Sequence, residues 1–90
     1  MSEQPQTAFL LIARYGQPVV PLQKVATDYL PYLNDKQVKE KARKQQLPFI
    51  CFRAEPTNQQ STWLCNLIDV AVWLDKARDV AAKDWQAMNG

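Results

Sequence analysis

Residues 22–46 read LQKVATDYLPYLNDKQVKEKARKQQ, two helical patterns joined by a proline-bearing link. In the first, Leu22, Val25, Ala26, Tyr29 and Leu30 fall at i, i+3, i+4, i+7 and i+8, the stripe of an amphipathic helix laid against a core. Pro21 suits its first turn, and Pro31 cannot continue it, so Pro31-Tyr32-Leu33 is a tight connector. Asn34 is a good N-cap with Gln37 three residues later in capping-box position, which predicts a second helix over about Asp35–Gln46. That helix has a thin apolar face, only Val38 and Ala42. Its far side carries Lys36, Lys39, Glu40, Arg43 and Lys44, with Gln37 on the flank.

Toward the C-terminus, Leu47-Pro48 ends the basic helix, and Phe49-Ile50-Cys51-Phe52-Arg53 is a β-branched and aromatic run of strand length. The turn-rich segment Glu55–Ser61 separates it from a second such run, Thr62-Trp63-Leu64-Cys65. The two predict a β-hairpin over residues 47–65, and symmetric pairing about Asn58 sets Cys51 opposite Cys65. Asn66 then caps a long helix over residues 67–89, with Asp69 in the first turn, where a carboxylate favours the free N–H groups. Leu67, Val70, Ala71, Leu74, Ala77, Ala81, Trp85 and Met88 recur along it every three or four positions. This stripe outruns what so small a domain needs for its own core, so Val80, Ala81, Trp85 and Met88 are expected to pair two copies of the chain. Toward the N-terminus, Thr7–Tyr15 reads as a short helix with Thr7 as cap and Gly16 as stop, after a flexible stretch over residues 1–6. Pro18-Val19-Val20-Pro21 is extended, because prolines bracket it.

A chain of 90 residues is expected to form one domain, here mainly α with a small β-hairpin. It has no histidine, and its only glycines are Gly16 and Gly90. That removes Ser-His-Asp and Cys-His nucleophile pairs, His-containing metal sites and glycine-rich phosphate loops, so no catalysis, metal or cofactor is expected. The longest apolar run, Ala8–Ala13, falls far short of the roughly 18 to 20 residues that cross a bilayer, and the polar start Met1–Gln6 lacks the basic region of a signal peptide. The expectation is a cytoplasmic protein with no membrane partner. Cys51 and Cys65 lack a CxxC spacing and are expected to be buried free thiols, the alternative being a strained cross-strand disulfide. The formal net charge of +2 hides an asymmetry: between Asn34 and Arg53 six basic residues meet two acidic ones, a net of +4, whereas the rest carries five basic and seven acidic residues, a net of −2.

Two short helices on a tight link, the second basic, followed by a hairpin with a polar tip, are the order of a winged helix-turn-helix, which sets its second helix in the DNA major groove. A lysine-rich helix alone is ordinarily a solvated face; the order of elements is what points to double-stranded DNA. Lys36, Gln37, Lys39, Glu40, Arg43 and Lys44 are then expected to face the groove, and Arg53, Thr57, Asn58, Gln59 and Gln60 to form a wing near phosphate or minor groove. Lys36 and Gln37, near the helix start, are the expected base readers. Phe49, Phe52 and Trp63 are expected to cover the helical core, a stacking platform for single strands being the other use of such aromatics. Asp75 and Asp79, interleaved with Lys76, Arg78 and Lys83, read as a solvated helix face.

The run Leu47-Pro48-Phe49, the strand Thr62-Trp63-Leu64 and the segment Leu67-Ile68-Asp69-Val70-Ala71-Val72-Trp73-Leu74-Asp75 resemble the excisionase-like and MerR-like winged-helix pattern, with its LP, W and DVxxWL landmarks. With Phe9-Leu10-Leu11-Ile12-Ala13-Arg14-Tyr15-Gly16 and Pro18-Val19-Val20-Pro21-Leu22 added, the closer likeness, over roughly residues 8–85, is to the pyocin activator protein PrtN family. The order and spacing of these motifs carry the resemblance. The connector Pro31-Tyr32-Leu33 departs from the glycine- or serine-rich turn of the pattern. The resemblance implies a small prophage-borne bacterial transcription activator that binds promoter DNA upstream of phage-tail-like bacteriocin genes. It implies a recognition helix over residues 34–46, a wing over 53–61, RNA polymerase as a further partner and a place on the nucleoid. Two other readings stand beside it: an excisionase-like protein that bends DNA, and a phage interaction module (antirepressor or inhibitor) docking through the long last helix.

Overall fold

Over residues 3–90, which the computed structural model describes, the chain forms α1 (Glu3–Tyr15), β1 (Val19–Pro21), α2 (Leu22–Tyr29), α3 (Asp35–Arg43), β2 (Cys51–Arg53), β3 (Trp63–Asn66) and α4 (Leu67–Asn89). The mainly helical chain with a small sheet and a long last helix is the class its sequence predicts. The sheet, however, is larger than a hairpin: β1 joins it, giving the antiparallel order β1-β3-β2 with β3 in the centre. Pro18 and Pro21 bar helix between them and leave Val19 and Val20 extended, and a proline-flanked segment with few donors suits an edge strand. Val20 and Cys51 both pair with Cys65, and all three are buried. The cysteines are thus opposed, as the spacing about Asn58 predicts, and free. Burial pushes the Cys51 thiol up to about 11 and the Cys65 thiol up to about 12, which keeps both in the unreactive protonated form at neutral pH.

α1 starts four residues before the expected cap, so part of the stretch read as flexible is helical, and residues 1–2 lie outside the described residues. Thr7 is therefore no cap. Its hydroxyl donates to Asp75 Oδ1 at 2.9 Å, which draws Asp75 out of the solvated face and into the contact between α1 and α4. At the other end of α1, Gly16 at φ +84° stops the helix, and Pro18 accepts a hydrogen bond from the Leu67 N–H at 2.8 Å. With Thr7 beside Asp75 and Pro18 beside Leu67, the two helices run antiparallel.

The capping box at α3 is complete: the Gln37 N–H donates to Asn34 Oδ1 at 2.8 Å, and the Asn34 N–H to Gln37 Oε1 at 2.9 Å. The helix ends at Arg43, three residues before the expected Gln46. Gln45 takes the left-handed conformation (φ 56°), the Gln46 N–H reaches the Lys41 carbonyl at 2.8 Å and the Gln45 N–H reaches Ala42 at 3.1 Å. This is a Schellman end with glutamine where glycine is usual. The core beneath is Leu22, Val25, Val38, Val20, Cys65, Leu67 and Val70, all under 2% exposed. Trp73 closes its edge between Phe49, at 5.3 Å, and Tyr29, at 6.3 Å.

Candidate nucleic-acid interface

Val38 and Ala42, each 1% exposed, anchor α3 to the core, so the helix must turn its remaining faces outward. Lys36, Gln37, Lys39, Glu40, Arg43 and Lys44 are all exposed. The β2–β3 connection rises beside them, and between the two lies a cleft of about 400 Å³ lined by Lys36, Lys39, Glu40, Arg43, Arg53, Gln59 and Trp63. It adjoins a second hollow of about 600 Å³ that shares Lys39, Gln59 and Trp63 and adds Gln60 from the wing and Gln23 from α2. Of the residues singled out from sequence, the fold thus brings Lys36, Lys39, Glu40, Arg43, Arg53, Gln59 and Gln60 around one concave surface. Lys44 stands at the end of α3, where it pairs with Glu40 at 3.1 Å.

Thr57 and Asn58 line neither cleft. Asn58 instead builds the wing: its amide donates to Glu55 Oε1 at 2.8 Å, and its Oδ1 accepts from the Gln60 N–H at 2.9 Å. The Ser61 hydroxyl adds a bond from the Glu55 N–H at 3.1 Å. Arg53 braces the same turn, donating to the Pro56 and Asn58 carbonyls at 2.8 and 3.4 Å while its guanidinium lies 5.2 Å from the centre of the Trp63 ring. Such a wing is held in shape before anything binds. Trp63 and Gln23 were not among the residues singled out for the interface. Trp63 sits two positions from the buried Cys65, on the same sheet face, and across from Arg53, and Gln23 lies off the buried stripe of α2; both signals are in the pattern of alternation.

Phe49, Phe52 and Trp63 form no common platform. Phe49 is buried against Trp73, and Phe52, 40% exposed, pairs with Leu64 one register step away from the Arg53–Trp63 pair, which places it on the opposite sheet face.

Charge on the interface is not uniform. Glu40 accepts from Arg43 at 2.7 Å and from Lys44 at 3.1 Å, and the Arg43 hydrogen bond, then the Lys44 one, hold its carboxyl below the usual range. The same contact raises the Arg43 guanidinium further. Among the described residues Lys36 and Lys39 make no ion pair, so they are the unneutralised cations of α3's exposed face together with the half-exposed Lys41. Gln37 has given its Oε1 to the capping box and keeps only its amide N–H groups for another partner. Among the described residues there is no cluster of potential metal ligands and no helix long and apolar enough to cross a membrane.

The family model described as Pyocin activator protein PrtN matches residues 7–81. No curated protein and no solved structure matches the chain.

Proposed function

The chain belongs to the pyocin activator protein PrtN family, and from that premise we propose that it is a transcriptional activator that binds double-stranded DNA as a winged helix-turn-helix. α3 is the recognition helix, entering the major groove, and the β2–β3 turn is the wing. The observation that carries this reading is the cleft in which Lys36, Lys39 and Arg43 of α3 converge with Arg53 and Gln59. Lys36, Lys39 and Arg53 neutralise phosphates, and Arg43 does so once Glu40 releases it. Base edges fall to groups with free donors beside these: the Gln37 amide and Gln59. Gln37 cannot bond adenine bidentately while its oxygen caps α3, which makes it a single donor to a purine acceptor. The protein works as two protomers on the bacterial nucleoid, with RNA polymerase as the partner that activation requires.

Lys39→Glu combined with Arg43→Glu tests this. Both side chains are exposed, so circular dichroism should be unchanged while binding to duplex DNA is lost. Retained binding by the folded double variant would refute the assignment of α3.

A further inference from the structure

The distal half of α4 carries an apolar face that nothing covers among the described residues. Trp85 is 64% exposed and Met88 85%, with Ala81 also open to solvent; Val80 is exposed too but stands about 100° round the helix from Ala81. This face continues the stripe that starts in the core at Leu67 and Val70.

The whole chain shows the same excess. It exposes 6555 Å², whereas a compact monomer of its mass exposes roughly 5,400 Å². Its radius of gyration is 14.7 Å against about 12 Å for a compact chain of this length. The surplus of roughly 1,200 Å² exceeds the roughly 800 Å² that each partner buries in a specific interface.

Which partner fits is written in the spacing. Leu74, Ala77, Ala81, Trp85 and Met88 lie within an arc of roughly 80° on the helix, and their steps are three, four, four and three residues. That order is the same read in either direction about Ala81. A two-fold axis at Ala81 therefore maps the stripe onto itself in an antiparallel pair. Ala81 meets its copy, Ala77 meets the partner's Trp85 and leaves room for it, and Leu74, packed in part against its own core, meets the partner's Met88 at the edge of the contact. Between Asp75 and Asn89 three acidic residues (Asp75, Asp79, Asp84) balance three basic ones (Lys76, Arg78, Lys83), so two such segments meet without net repulsion. Lys76, Asp79 and Lys83 fall on the opposite side of the helix, where they remain in water.

We propose that two copies of this chain pair through α4, antiparallel and centred on Ala81. The proposal rests on the two-protomer part of the functional reading and specifies its surface.

Two variants at the axis test it. Ala81→Cys should be trapped as a covalent pair by oxidised glutathione, two thiols giving one disulfide, whereas Lys83→Cys on the opposite side should not. Ala81→Arg should bring the sedimentation mass from twice 10.4 kDa down to 10.4 kDa with helicity unchanged. A wild-type mass of 10.4 kDa at tens of micromolar protein overturns both the pairing and the two-protomer reading. A doubled mass that Ala81→Arg leaves intact and Ala81→Cys fails to trap overturns the α4 pairing alone. DNA binding, measured separately, reports on α3 and not on this surface.

Discussion

Glu40 decides how strongly α3's positive face acts. It stands among cations, holds Arg43 and Lys44, and stays ionised because those two donors stabilise its carboxylate. Removing the charge while keeping the shape, Glu40→Gln, spares Arg43 the cost of leaving its partner and frees Lys44 as one further cation for phosphate. Affinity for random duplex should rise about 3- to 10-fold, and the log–log salt slope should steepen by about 0.9 for one further counterion released. The wild-type carboxyl is already ionised well below neutrality, so affinity should not vary between pH 8 and pH 6 through this group. Weaker binding by Glu40→Gln would instead mean that the carboxylate itself accepts from a base, cytosine N4 being the donor with the right polarity.

At the scale of elements, the start of α3 was legible and its end was not. Asn34 and Gln37 at i and i+3 are a pattern that only a capping box satisfies well, and the box forms. Gln45 carries no comparable mark, since a glutamine ordinarily avoids the left-handed region where the Schellman end places it. Gln45→Gly should relieve that conformation and stabilise the protein by about 0.5–1 kcal/mol, raising Tm by about 2–8 °C in a thermal melt. A lowered Tm would show that the Gln45 side chain is needed where it stands. The third strand was missed for a related reason. Val19 and Val20 read as extended, but which strand accepts them depends on the long-range packing of Val20 against Cys65, and no local pattern encodes that. Likewise Thr7 is a sound cap by residue type, and the Asp75 carboxylate 68 positions away claims its hydroxyl instead. Among interface residues, the α3 cations were legible from helical periodicity. The role of Asn58 as the frame of the wing, and of Trp63 as the ring under Arg53, appears only once the turn is closed.

For the whole molecule, charge and shape divide the labour. The segment from Asn34 to Arg53 holds a net +4 and the remainder a net −2, so the chain has one positive side built from α3, its end and Arg53. That dipole orients the protein toward a polyanion before contact and leaves the rest of the surface without attraction for it. The molecule measures 51 × 25 × 18 Å, its long axis extended by a helix whose last two turns are exposed. In the proposed function, α3 and the wing are the part that meets DNA and the distal half of α4 the part that meets a second copy.

The central claim, that α3 and the wing bind duplex DNA, is tested most directly by fluorescence anisotropy of a labelled duplex between about 50 and 200 mM salt. With Lys36, Lys39, Arg43 and Arg53 each neutralising one phosphate, the log of the affinity should fall against the log of salt with a slope of about −3.6 per protomer. No binding at the lower salt, or an affinity that salt leaves unchanged, would contradict the account.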